Sequence, residues 1–145
     1  MSGPTNPTEV YFDKGQWGHD GTQWRKLNLV WGFYDTYSAW IYLPNSPGGS
    51  YYMDFPAVPA GEVWVVTGSS ACDINTSTVM YACANLSGFN QFVWRWPAPG
   101  AGVYVSLPLT NTVMKANDFW RINFEASVLN DDLYGHVWGY KMKVA

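Results

Sequence analysis

The sequence predicts an all-β protein, a two-sheet antiparallel sandwich of jelly-roll type with about eight strands and an extended N-terminal arm. Three observations carry that prediction. Turn-forming clusters recur roughly every 8 to 12 residues, the spacing of short strands joined by loops. No stretch keeps an apolar period of 3.6 for the roughly 12 residues a helix needs; one helical turn at Val113 to Asn117 is the most expected. Near the C-terminus, Trp120, Ile122, Phe124 and Ala126 alternate strictly with Arg121, Asn123 and Glu125, as a strand with one buried and one wet face requires. Eight strands in two antiparallel sheets is the jelly-roll count. A Greek-key or immunoglobulin-like order is the alternative, although the Cys-Trp-Cys spacing of antibody domains is missing.

Taken in order, residues 1–21 carry Pro4, Pro7, Gly3, Gly15, Gly18 and Gly21, with Val10, Tyr11, Phe12 and Trp17 as anchors. Such a segment cannot build its own core, so it is expected to be an arm held down by its own domain or by a neighbouring subunit. Residues 22–145 then form a single sandwich domain. Asp20-Gly21 signals a turn into a strand-like run from Trp24 to Trp31. Tyr37 to Leu43 is a further strand, closed by the loop Pro44-Asn45-Ser46-Pro47-Gly48-Gly49. Tyr51, Met53 and Phe55 alternate with Tyr52 and Asp54. Glu62 to Thr67 is continuous and β-branched, as a strand at the sandwich centre is.

After the polar turn Asp73 to Thr78, Val79, Tyr81 and Cys83 share a face. The chain turns again through Asn85 to Asn90. Phe92, Trp94 and Trp96 follow on one face with Arg95 opposite, and Pro97 to Gly102 forms a connection. Val103, Val105, Leu107 and Leu109 alternate, and Thr110 to Asp118 leads into the closing pair. That pair is read as a β-hairpin: one strand from Phe119, the short acidic turn Asn130-Asp131-Asp132, then a strand with Trp138, Tyr140, Met142 and Val144 on one face.

Composition narrows the function. The chain has 145 residues, enough for one ordinary domain. Charged residues are 13% of it and the formal net charge is -3, with 8 basic residues scattered, so no electrostatic footprint for nucleic acid or anionic lipid exists. Hydrophobic content of 48% excludes a disordered chain, yet no run reaches the length of a membrane span. The start MSGPTNPTEV has neither the basic opening nor the apolar centre of a secretory signal.

Motifs of catalysis are missing: no GxSxG elbow, no phosphate-cradling GxxxxGK, no HExxH, no GxGxxG. His19 beside Asp20 is read as solvated or partner-facing, and His136, sharing parity with Trp138, as a hydrogen-bonded histidine at the core edge. The turn at Asn130-Asp131-Asp132 offers oxygens for Ca²⁺, together with Asp54 or Asp118, but a simple turn explains it as well. No carboxylate pair is singled out for glycoside hydrolysis, so a non-enzymatic protein without metal or cofactor is expected. Cys72 and Cys83 are either a disulfide between neighbouring strands or two buried thiols.

The surplus of rings is the feature that asks for a function. The chain holds 9 Trp, 10 Tyr and 7 Phe, more than the roughly two dozen inward places of eight short strands can take beside their aliphatic residues. Buried between subunits, such rings act as anchors, with Val10, Tyr11, Phe12, Trp17 and Trp24 the candidates. Exposed in a row, they are platforms for the apolar face of a pyranose, with Trp31, Tyr34, Tyr37 and Trp40 the candidates. A Trp-rich core with loop aromatics folded over its ends is the third reading.

The series DGTQWRKL, VPAGEVWVV, an Asn-Asp turn into FWRINF, and DDLYGHVWGYKM resembles the small jelly-roll proteins on the outside of tailed-phage particles, of capsid-decoration or receptor-binding type. The likeness covers most of residues 20–144 through strand layout and turn placement. It implies a non-enzymatic protein of a virion or extracellular surface, a trimer or other symmetric oligomer, in contact with copies of itself and other particle proteins. A carbohydrate-binding module contacting surface glycans is the alternative.

Overall fold

The structure is a computed structural model that describes Trp17–His19, Trp24–Lys26 and residues 33–143, with side chains from Asp35 onward. The strands are β1 (Trp17–His19), β2 (Trp24–Lys26), β3 (Phe33–Leu43), β4 (Pro47–Asp54), β5 (Glu62–Asp73), β6 (Val79–Leu86), β7 (Phe89–Trp96), β8 (Val105–Ser106), β9 (Thr112–Met114), β10 (Phe119–Leu129) and β11 (Leu133–Lys143). No helix occurs among the described residues; Val113, expected in a helical turn, lies in β9. β1 and β2 pair antiparallel with each other, on either side of the expected boundary between arm and domain.

Two antiparallel sheets make the sandwich, in the orders β4-β10-β6-β7 and β3-β11-β5-β8, with β9 also paired to β5. Counting β8 and β9 as one interrupted strand leaves eight. The first, eighth, third and sixth lie in one sheet and the second, seventh, fourth and fifth in the other, which is the jelly-roll order. Almost every connection therefore crosses between sheets. β6 and β7 are the exception, joined by the two-residue turn Ser87-Gly88 with φ of 52° and 86°. Positive φ at both central positions matches the twist of a tight hairpin, and glycine takes it without steric cost.

This topology corrects the closing hairpin read from the sequence. β10 pairs with β4 and β6, whereas β11 pairs with β3 and β5. Asn130-Asp131-Asp132 is thus a corner that carries the chain from one sheet to the other. The alternation in β10 also stops early. Trp120, Ile122 and Phe124 are fully buried, but a bulge between Phe124 and Ser127 puts Ala126 at φ 58° on the surface and turns Ser127 inward. Pro47-Gly48-Gly49, expected as loop, begins the edge strand β4, where the missing proline N–H costs no ladder bond toward solvent.

The core lies between the sheets. Met53 of β4, Phe55 just after it, and Trp120, Ile122 and Phe124 of β10 face Trp64 and Val66 of β5 and Leu133 and Val137 of β11. Gly135 lies on the inner face of β11, and a Cβ there would come within 2.4 Å of Met53 Sδ and 2.8 Å of Ile122 Cδ1. It is the socket that receives the opposing sheet. The Trp120 indole N–H donates to Ser69 Oγ at 3.0 Å, and that hydroxyl donates to the His136 carbonyl at 2.7 Å. One buried chain of bonds therefore links both sheets.

The corner acids serve the loops. Asp131 accepts from Thr76 Oγ1 and from the Val128 amide, while the Ser46 amide donates to the Asp131 carbonyl at 2.7 Å. Asp132 accepts from the Asn45 amide at 3.1 Å and from the Tyr42 hydroxyl at 3.0 Å. Asp54 is taken by Arg121, and Asp118 by the amides of Ser87 and Lys115. The carboxylates considered for Ca²⁺ are thus each engaged by protein donors.

Two substitutions test this account of the core by chemical denaturation. Gly135→Val is expected to cost about 1–3 kcal/mol through overpacking. Ser69→Ala, which strands the Trp120 N–H inside the core, is expected to cost a similar ~1–3 kcal/mol. Unchanged midpoints in both would overturn the packing described.

Candidate functional site

The outer face of the β3-β11-β5 sheet collects aromatic rings because three strands place them in register. Trp40 lies opposite His136, which lies opposite Ser70; Tyr42 lies opposite Tyr134, which lies opposite Cys72. Side chains two residues apart share a face, so Ser38, Trp40 and Tyr42 point outward together, as do Tyr134, His136 and Trp138. Tyr104, just before β8, closes the side beyond β5.

The rings form one group centred on Tyr134. Trp40 stacks with it at 6.1 Å between centroids and an interplanar angle of 6°, and Tyr42 at 4.6 Å and 22°. Tyr104 meets it at 6.0 Å, tilted by 49°. Trp40 is 67% exposed and Tyr104 60%, so both offer a large apolar area to solvent. Trp40, Tyr104 and Tyr134 enclose a cleft of about 530 Å³, with Ser70, Gly135 and His136 contributing to its lining.

Polar groups are few and fixed. His136 Nε2 and Ser38 Oγ are 3.0 Å apart, and the imidazole packs against Trp138 at 5.0 Å. Trp138 in turn lies flat over β5, where a Cβ on Gly68 would come within 2.3 Å of its ring. The Tyr42 hydroxyl donates to Asp132, and that bond, with burial and the carboxylate charge, raises its pKa. Ser38 and His136 have the spacing of a nucleophile and base, but acyl transfer also needs a group that orients the imidazole. The one hydrogen bond of the His136 side chain among the described residues is that with Ser38. The arrangement suits binding: flat rings, a hydroxyl and an imidazole.

Of the residues the sequence singled out for stacking, Trp40 alone is placed here. Tyr37 is a correction: 3% exposed, it packs inside the sandwich against Trp64 at 4.4 Å. Trp40 and Tyr37 are three positions apart on one strand and so face opposite sides. Trp31 lies outside the described residues, as do the side chains of Tyr34, Trp17 and Trp24, and Val10, Tyr11, Phe12 and His19's ring. The sequence reading missed Tyr42, Tyr104 and Tyr134. Tyr42 was legible as the neighbour of Trp40 at a spacing of two; Tyr134 and Tyr104 join the group only through the sheet order.

The disulfide alternative is also corrected. Cys72 and Cys83 are both buried free thiols, on β5 and β6, which belong to different sheets. Burial raises the pKa of both. For Cys83 it moves from 9.0 to about 11, the nearby Arg121 charge opposing the rise.

No family model matches the chain, and no curated protein matches it in sequence. Among solved structures, dimeric latent PorU from Porphyromonas gingivalis is similar at 15% identity and a TM-score of 0.34, over 77% of this chain and 13% of that one. A structure of the infectious bursal disease virus Gx strain is similar at 11% identity and a TM-score of 0.27, over 88% of this chain and 42% of that one. This chain thus spans less than half of each. The tailed-phage resemblance has no family model behind it, and the likeness to a virus structure is a loose one.

Buried thiols make a measurable prediction. Native protein near neutral pH is expected to leave both cysteines unlabelled by a thiol reagent until denaturant is added. In the unfolded chain Cys83 ionises at lower pH than in the fold, so stability is expected to fall as pH rises from about 9 towards about 11. Two rapidly labelled thiols in the native state would contradict this placement.

Proposed function

We propose that this protein is a non-catalytic carbohydrate-binding module whose ligand is a neutral saccharide laid on the outer platform of the β3-β11-β5 sheet. The observation that carries the reading is the pair of near-parallel rings, Trp40 and Tyr134, on an open face. Pyranose rings present an apolar C–H face that packs on such a surface, and large rigid rings supply contact area with little side-chain ordering. The imidazole of His136 and the hydroxyl of Ser70 stand at the cleft wall to meet sugar hydroxyls. Among the described residues no Asp, Glu, Lys or Arg lines this cleft, which favours an uncharged sugar over a uronic acid or a sulfated one.

A second reading, the structural protein of a viral particle or extracellular assembly, rests on a different observation. β7 is a sheet edge, and along it Phe89, Phe92 and Trp94 are 72%, 64% and 44% exposed. An edge strand bearing rings is a template for pairing with another chain. In this reading the partners are copies of the protein and other assembly components.

Binding to neutral oligosaccharides of glucose, mannose and xylose, followed by isothermal calorimetry, tests the first reading. Trp40→Ala and Tyr134→Ala are each expected to weaken binding by about tenfold, the effect of losing roughly 1–2 kcal/mol of a central aromatic anchor. Absence of binding to the whole set, or full affinity in both variants, would remove it. Sedimentation velocity tests the second: an oligomer that dissociates on combining Phe89→Lys with Trp94→Lys supports it, and a monomer at all concentrations rejects it.

A further inference from the structure

The opposite sheet carries a second cleft of different chemistry. β10 lies between β4 and β6, so Asn123 is flanked by its register partners Tyr52 and Tyr81. Phe92 of β7 meets Tyr81 edge-on at 5.4 Å and forms the far wall. These rings, with Glu125 and Ser50 at one end, enclose about 400 Å³ on the outer face of the β4-β10-β6-β7 sheet.

Its polar groups are arranged as acceptors. Arg95 Nε donates to the Tyr81 hydroxyl at 3.2 Å, and that hydroxyl donates to Glu125 Oε2 at 3.0 Å, which leaves Oε1 for a ligand. Beneath them the Asn123 carbonyl Oδ1 is buried and has no hydrogen-bond partner. A buried acceptor without a donor is costly, so few are retained in a fold without a reason. Asn123 itself contributes to the cleft lining, and the terminal torsion of an asparagine is soft enough for its amide to adjust to a ligand.

From these observations we infer that the cleft of Tyr52, Asn123, Tyr81 and Phe92 is a second saccharide site, read through ligand hydroxyls that donate to Asn123 Oδ1 and to Glu125. Glu125 is the charged residue of the lining, Arg95 beside the cleft shares the Tyr81 hydroxyl with it and offsets its charge, and Arg121 is bound to Asp54, so the site favours a neutral ligand. The ligand class rests on the carbohydrate reading of the first platform; the site itself rests on the orphaned carbonyl and the ring walls. Because the two sites open on opposite faces of the sandwich, one molecule holds two chains and cross-links a polysaccharide.

The test measures stoichiometry by calorimetry with neutral hexasaccharides of glucose, mannose and xylose, and turbidity with the matching soluble polysaccharides. Wild type is expected to bind two ligands per chain and to raise turbidity. Phe92→Ala and Glu125→Gln, at exposed positions, are expected to leave one ligand per chain, at least a tenfold loss at the second site, and no turbidity. Combining Trp40→Ala with Tyr134→Ala leaves the other site alone. Asn123→Leu supplies the folding control. It is expected to keep or raise the unfolding midpoint while losing the second site, whereas a lowered midpoint with binding intact makes Asn123 structural and overturns the inference. One ligand per chain, lost in the Trp40/Tyr134 variant and untouched by Phe92→Ala, rejects this site and leaves the platform standing. One ligand lost only in Phe92→Ala and Glu125→Gln rejects the platform and supports this site; no binding at all rejects both.

Discussion

The relation of the two sheets rests on a buried polar chain, from the Trp120 indole through the Ser69 hydroxyl to the His136 carbonyl, with the Trp96 indole bonded to the Ser106 carbonyl as a second tie between them. Trp120 is the largest fully buried side chain, and its N–H would be unpaired if the facing strand offered only carbon. Apolar packing between sheets is tolerant of sliding, whereas a hydrogen bond with one donor and one acceptor is not. The chain therefore sets how β10 sits against β5 and β11. Gly135 fixes the same relation from the other direction, since only a residue without a Cβ leaves room for Met53 and Ile122.

That constraint reaches the surface. His136 offers its carbonyl to the buried chain and its ring to the outer face, so the platform is anchored through the backbone of the strand that carries it. Gly68 lets Trp138 lie flat against β5, and the flat indole in turn supports the imidazole. Trp40, Tyr42 and Tyr134 are thus held by a sheet, with Tyr104 alone supplied by the segment before β8, and rigid sheets fix binding geometry more closely than loops do.

The fold class was legible because alternation is a local property: Trp120, Ile122 and Phe124 declare a buried face within five residues. Sheet membership was not, since nothing in Asn130-Asp131-Asp132 distinguishes a hairpin turn from a corner between sheets. The reach of β5 was hidden for another reason. The strand read from the sequence ends at Thr67, yet the small residues of Gly68-Ser69-Ser70-Ala71 continue it, as a strand needs beneath Trp138 and beside Trp120. The candidate site was legible in part. Period two ties Trp40 to Tyr42, but their meeting with Tyr134 and Tyr104 follows from strand order, which no single segment encodes.

The jelly-roll order also fixes how the chain must assemble in time. Leu43 pairs with Leu133, and Glu62 with Lys143, so most ladders close loops that span much of the molecule. The Ser87-Gly88 turn is the one place in the sandwich where neighbouring strands zip locally. Closing long loops before their contacts form is what slows all-β chains. Slow folding is accordingly the expectation for this topology, with the β6–β7 ribbon as its one local pairing and the final strand due to enter between β3 and β5.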